Sequence, residues 1–192
     1  MNKCLVYSDL LLDDLCALEL LATKFDSITV VAINAQELTE SDYASTMVAT
    51  LNEAEIHLQF WFNSVRVIDG NEDYNLEEEY DLVLSLAQAT RVVDDLERYD
   101  WLKDLPFGAM IGPDEEWNAT RDLEAYHKLV EMGTHAVIVQ AGWCEQQYEE
   151  AGYPIETTFQ HEYISKMNSL GDSVCCYDLQ AVSEILKRLG FE

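Results

Sequence analysis

An apolar opening segment, Lys3–Ser8, gives way to three acids, Asp9, Asp13 and Asp14, just where a helical pattern begins. The segment Lys3–Ser8 reads as a short buried strand. From Asp13 to Thr23, Leu15, Leu18 and Leu21 or Ala22 recur at helical spacing, so a helix follows the strand directly. An Asp ahead of such a run suits an N-cap, because its oxygen accepts a backbone N–H and its charge favours the positive end of the helix dipole. Capping accounts for one or two of the three acids. The remainder would repel one another at close range unless a cation, or a substrate rich in hydroxyls, sits among them.

The alternation continues along the chain. Ser27–Ile33 is rich in β-branched residues and reads as a strand, followed by a helical stretch from about Ser41 to Glu55. Val65–Ile68 ends at the turn signal Asp69-Gly70, and an acidic loop leads on to a strand over Leu82–Leu86. Ala89–Leu96 is helical in pattern, Phe107–Ile111 is a further apolar run, Asp122–Met132 is a helix stopped by Gly133, and His135–Val139 is a strand. The helical signature of Asp178–Leu189, closed by Gly190, is the strongest in the chain. Such alternation predicts an α/β fold with a mostly parallel, Rossmann-like sheet flanked by helices. Ligands of these sheets bind beyond the carboxyl ends of the strands, which is where the Asp9 cluster falls.

With 192 residues, 48% of them hydrophobic, and only three prolines, the chain can bury one sizeable core, and a single domain over residues 1–192 is expected. No apolar run is long enough to span a bilayer and the N-terminus has no basic region with a cleavage site, so a cytoplasmic protein is expected. The five cysteines, Cys4, Cys16, Cys144, Cys175 and Cys176, are odd in number and form no Cys-x-x-Cys pair, which points to neither a disulfide framework nor a zinc site. Thirty-seven acids against eleven bases give a formal charge of −26, which repels nucleic acids and anionic membrane surfaces and excludes them as partners. The runs Glu77-Glu78-Glu79 and Glu145 to Glu150 read as solvated faces.

Several segments, taken in order, resemble the nucleoside hydrolase family, the inosine-uridine-preferring N-ribohydrolases. The opening Tyr7-Ser8-Asp9-Leu10-Leu11-Leu12-Asp13-Asp14 is similar to the family signature Asp-Thr-Asp-Pro-Gly-Ile-Asp-Asp, with three of four acids kept and the Pro-Gly turn lost. Val30-Val31-Ala32-Ile33-Asn34 resembles the family's second strand, which ends in a sugar-contacting Asn. Val83 to Thr90 is similar to its Leu-Val-Ala-Leu-Gly-Pro-Leu-Thr segment. Glu116-Trp117-Asn118, with Asp122-Leu123-Glu124-Ala125, resembles its Glu-Phe-Asn and Asp-Pro-Glu-Ala stretch, and Tyr177-Asp178-Leu179-Gln180-Ala181-Val182 its His-Asp-Pro-Leu-Ala-Val motif.

The resemblance implies a calcium ion (Ca2+) held by Asp9, Asp14 and Asp178 and by the backbone carbonyl of Thr90. Asp13, Asn34, Glu116 and Asn118, together with Asp178, would bind the ribose of a nucleoside or related N-riboside. It further implies hydrolysis of the N-glycosidic bond, with Asp9 taking a proton from a calcium-held water and an oxocarbenium-like transition state favoured by the acidic surroundings. The family's frequent dimers and tetramers make a homo-oligomer an expectation as well.

Three departures bear on turnover. Tyr7 replaces the family's first Asp, behind the metal ligands; the segment before Glu116 is compressed; and Tyr177 stands at the catalytic position of a His that serves purine-processing members. An unperturbed Tyr, with a pKa near 10, donates a hydrogen bond but shuttles protons poorly near neutrality. Metal and ribose binding therefore read as better kept than activation of the leaving base. Two other readings stay open: a noncatalytic calcium-dependent nucleoside or ribose-binding protein, and an acidic interaction protein on the same fold. By analogy alone, Trp143, His161 and Tyr163 fall where they would flank a base.

Overall fold

The computed structural model describes residues 2–33, 65–77, 79–111, 118–119, 122–132 and 136–191. Six strands, β1 (Lys3–Ser8), β2 (Ser27–Ala32), β3 (Val65–Asp69), β4 (Leu82–Ser85), β5 (Phe107–Met110) and β6 (Ala136–Val139), form one sheet in the order β3-β2-β1-β4-β5-β6. Every pairing is parallel. The helices described are α1 (Leu12–Ala22), α2 (Thr90–Arg98), α3 (Leu123–Glu131), α4 (Ala141–Ala151), α5 (Gln160–Leu170) and α6 (Tyr177–Leu189), with a 3₁₀ turn at Asp100–Asp104.

Strand periodicity sorts the core into two halves. Cys4 and Val6 of β1, Ile28 and Val30 of β2, and Leu82 and Leu84 of β4 face a layer containing α1, α4, α5 and α6. Leu5, Tyr7, Val31 and Val83 point the other way, toward α2 and α3. Helices therefore cover both faces, as a parallel sheet of apolar strands requires. The strand order reverses direction between β1 and β4, leaving a crevice at their carboxyl ends.

The predicted α/β architecture is present, with most element ends within a residue or two of the pattern. The helix expected over 41–55, the stop at Gly133 and the strand start at His135 lie outside the described residues. Two helices, α4 and α5, have no counterpart in the pattern, because each buries few residues: Cys144 on α4, and Tyr163 and Met167 on α5. Among the described residues no helix is long and apolar enough to cross a membrane.

The last helix anchors this architecture. Leu179, Val182, Ile185 and Leu186 form the buried stripe of α6, Lys187 and Arg188 occupy its last turn, and Gly190 closes it at φ 79°, a left-handed conformation that costs an L side chain energy. Its stripe meets α1, β5 and β6. On β5 the contact is at Gly108, where a methyl group would overlap Ile185 and come within 3.0 Å of Leu84 Cδ2.

The opposite face holds a buried polar network. Tyr7 Oη donates to Asp95 Oδ2 at 2.9 Å, Tyr74 Oη donates to the same oxygen, and Arg91 Nε donates to Tyr74 Oη at 2.9 Å. This bonding ties the end of β1 to α2 and satisfies a carboxylate that would otherwise be costly to bury.

Because the helix rests directly on the strand at Gly108, Gly108→Ala is expected to lower the unfolding free energy by about 1–3 kcal/mol, the usual range for overpacking a dense core. Urea denaturation measures this, and an unchanged midpoint would contradict the packing.

Candidate metal centre and ligand pocket

The site begins where β1 ends. Ser8 Oγ donates to Asp14 Oδ1 at 2.7 Å and accepts the Leu10 N–H at 2.9 Å. Leu10 has φ 58°, a left-handed backbone that costs a non-glycine residue about 1–2 kcal/mol and that a proline, fixed near −65°, cannot adopt. The turn thus follows a path closed to the Pro-Gly form of the resembled signature. Leu11 is the N-cap residue of α1, and the capping acid is Asp14, which reaches back from the first turn to accept the Leu11 N–H at 3.2 Å. Asp9 Oδ1 lies 3.4 Å from the same N–H.

Asp13 and Asp14 open α1, and Asp178 sits in the first turn of α6. Two helix N-termini therefore direct their positive ends toward the acids. Oxygens of Asp13, Asp14 and Asp178 lie within 4.8 Å of one another, and Asp9 lines the same cavity. All four residues are buried, Asp9 at 9% exposure, Asp13 at 7%, Asp14 at 1% and Asp178 at 3%.

Burial, and next the charge of Asp9, push the Asp13 carboxyl up to about 7. Burial also raises Asp14 well above the carboxylate range, reinforced by Asp9, Asp178 and Asp13. Asp13 Oδ1 is buried with no hydrogen-bond partner among the described residues. These properties fit a hard divalent cation. Oxygen ligands at 2.3–2.6 Å from one calcium ion stand at most about 5 Å apart, the spacing of this group, and a cation would supply the missing partner and offset the repulsion. The buried group of Asp13, Asp14 and Asp178 can hold a metal ion.

A cavity of about 350 Å³ opens above the acids. Leu11, Leu86, Met110 and Met167 give it apolar walls, and Asp172 lies at its lining. Asn118, buried, donates through Nδ2 to Leu86 O at 3.0 Å and Met110 O at 3.3 Å, joining the chain just beyond β4 to the end of β5. Tyr177 donates its phenolic proton to Glu145 Oε1 at 2.6 Å, and burial followed by that bond raises its pKa above the ordinary tyrosine value.

Of the residues singled out in the sequence, Asp9, Asp13, Asp14, Asn118, Tyr177 and Asp178 line this one cavity. Asp13, which the resemblance gave to the sugar, stands beside Asp14 and Asp178 in the metal-competent group. Thr90 is not in the described lining: it opens α2 and donates Oγ1 to Asp122 Oδ2 at 2.7 Å, while Asp122 caps α3 by accepting the Ala125 N–H. Asn34 and Glu116 lie outside the described residues. Trp143, His161 and Tyr163 are not in the described lining either, and Tyr163 donates to Cys175 O at 2.6 Å in the core. The pattern passed over Ser8, Met167 and Asp172. Met167 had a usable signal, one helical turn after Tyr163; Asp172, in a loop, had none.

No protein-family model matches the sequence, and no curated protein matches it either. Among solved structures, the inosine-uridine preferring nucleoside hydrolase from Bacillus anthracis superimposes with a TM-score of 0.51 over 97% of this chain and 76% of that one, at 14% identity. The fold is nucleoside hydrolase-like. A glutamate racemase from Campylobacter jejuni subsp. jejuni aligns over 97% of this chain and 77% of its own at 16% identity, with a TM-score of 0.29 that carries no argument. At 14% identity the first likeness concerns fold alone, so the site stands on its own residues.

The raised Asp13 carboxyl sets the sign of a pH effect. Between an unfolded pKa of about 3.9 and the folded value of about 7, the folded state keeps a proton that the unfolded chain has lost. Without a cation, this group's contribution to stability therefore falls as pH rises through that window. Asp13→Asn escapes the effect, so in chelator its melting temperature should gain on the wild type between about pH 4.5 and pH 7.5. Excess Ca2+ should then favour the wild type, which binds the ion through the carboxylate. A melting difference independent of both pH and cation would contradict the assignment.

Proposed function

We propose that this protein is a calcium-dependent N-ribohydrolase, which cleaves the N-glycosidic bond of a ribonucleoside or related N-riboside to give free base and ribose. The observation that carries the reading is the buried acidic group, whose Asp13 Oδ1 has no hydrogen-bond partner among the described residues, at the switch point of a nucleoside hydrolase-like fold. Asp13, Asp14, Asp178 and Asp9 would hold the ion. A bound calcium supplies Lewis acidity and screens the carboxylates from one another.

The remaining chemistry belongs to the chain. Asp9, at the end of β1, accepts the proton of the attacking water. Carboxylate oxygens around the cavity accept hydrogen bonds from ribose hydroxyls, and their negative charge stabilises the positive charge that develops on the sugar ring. Asn118 holds the chain beyond β4 against the end of β5, which fixes the cavity wall. Leu86, Met110 and Met167 offer a planar base an apolar surface, with methionine adapting readily to its shape. The cytoplasm is the compartment we assign.

One observation favours a second reading, calcium-dependent binding of an N-riboside without turnover. Tyr177 stands where the resemblance implies a proton donor, yet its hydroxyl proton is committed to Glu145.

Ribose release from purine, pyrimidine and nicotinamide ribosides, with calcium or with chelator, separates the two. Turnover should require calcium, and Asp9→Asn should lower kcat by about 10²–10⁴-fold, the usual loss on removing a general base, with the melting temperature near wild type. Full activity in that variant would remove Asp9 from its role. Calcium-dependent riboside binding with no ribose released would establish the second reading.

A further inference from the structure

Once its acids are ionised around a bound cation, the described lining of the cavity is short of protons to give. Among the described residues that line it, Asn118 and Tyr177 carry the side-chain donors, and both donate into the protein: Asn118 to Leu86 O and Met110 O, Tyr177 to Glu145. No Lys, Arg or His belongs to the described lining. Acidic groups, in contrast, are present. Asp9, Asp13, Asp14 and Asp178 are buried in the lining, Asp172 is an exposed member of it, and the exposed Glu145 adjoins it as the acceptor of the Tyr177 proton.

A neutral nucleoside leaves its base as an anion unless an acid supplies a proton. From the donor-poor, acidic lining that the described residues form we infer that the preferred substrate is an N-riboside whose base is already cationic, a quaternised heteroaromatic ring. This inference rests on the hydrolase reading and names its substrate class. The C1′–N bond breaks with both electrons going to nitrogen, which cancels the base's positive charge. Water oxygen bonds to C1′, and the water's proton passes to Asp9. No proton is required on the leaving side. The positive charge moves meanwhile from the base to the sugar, toward the buried acids, so the field that attracts the substrate also favours the transition state.

The test compares kcat/KM, with calcium present, for nicotinamide riboside and 7-methylguanosine against uridine and guanosine, at a pH of about 6 where 7-methylguanosine is cationic. The cationic ribosides should be favoured by about 10²-fold or more, the usual worth of a general acid. Because such ribosides are intrinsically more labile, two further readouts isolate the protein's part. The unreactive cation 1-methylnicotinamide should inhibit at severalfold lower concentration than neutral nicotinamide, and Glu145→Gln or Asp172→Asn should shrink the cationic-over-neutral ratio severalfold. Neutral ribosides cleaved as fast as cationic ones, or equal inhibition by the two nicotinamides, would overturn the inference and leave the hydrolase reading standing. Absence of ribose from every riboside would end both.

Discussion

Mutual repulsion among four buried carboxylates is the constraint around which this structure is organised. Left to themselves, Asp9, Asp13, Asp14 and Asp178 would move apart, and burial together with the neighbouring charges raises the affinity of Asp13 and Asp14 for protons. The framework opposes this by packing α1 against α6 through apolar side chains that include Leu15, Leu18, Leu179 and Val182. Because the two helices are held together along their lengths, their N-terminal turns cannot separate. The same termini lessen the repulsion by directing positive dipole ends at the acids, an effect worth about 0.3–1 kcal/mol at exposed sites and up to about 2 where partly buried. That range does not neutralise four charges. A cation, or protonation of the group, has to supply the rest.

Residues 7 and 8 divide the work of holding β1. Neighbours in a strand address opposite faces, so Tyr7 and Ser8 cannot serve the same cluster. Ser8 supports the metal-competent side by bonding Asp14, whereas Tyr7 reaches away to Asp95 and locks β1 to α2. Support of Asp14 therefore does not need an acid at position 7, because Ser8 supplies it. In the second half of the core a buried carboxylate is held by two phenols, with Arg91 bonding one of them, and this is where the end of β1 gains rigidity. Metal ligands depend on such support to keep their orientation.

Most of the sheet was legible because its strands are short runs rich in apolar residues, β1 and β3 ended by an acid or a turn signal, and because α1 and α6 bury broad stripes that repeat at helical spacing. Helices α4 and α5 were not legible: their buried residues, Cys144, Tyr163 and Met167, are too few to set a period, and the Glu145 to Glu150 run on α4 read as solvated surface. Acid convergence was legible in part: Asp9, Asp13 and Asp14 stand at the junction of β1 and α1, and a parallel sheet gathers such junctions at one edge, whereas Asp178 opens α6 after a helix and a loop and was joined to them through the family resemblance. Which acids come within one ion's reach was legible only in part, with Asp14 and Asp178 assigned to a metal and Asp13 to the sugar. That depends on the Leu10 turn and on the direction in which α1 sets out, neither of which a pattern of residue types records. Thr90 shows the same limit: its contribution was to be a backbone carbonyl, and a carbonyl's direction follows from the course of α2.

Charge connects the surface to the cavity. A formal charge of −26 acts on solutes approaching the protein, but salt screens it within about 8–10 Å, so beyond that distance it discriminates weakly. Inside the cavity screening is poorer, and there the acids oppose a phosphate while leaving a neutral sugar or a cation unopposed. On the proposed reading this excludes nucleotides before shape is tested, because the described lining has no basic side chain to receive the phosphate. It also explains why one set of residues can serve two ends: the carboxylates that attract a divalent ion at the floor are the ones that favour positive charge on the ring above it. Replacing any of them by an amide would therefore weaken ion binding and transition-state stabilisation together, and the two losses would not add as independent terms.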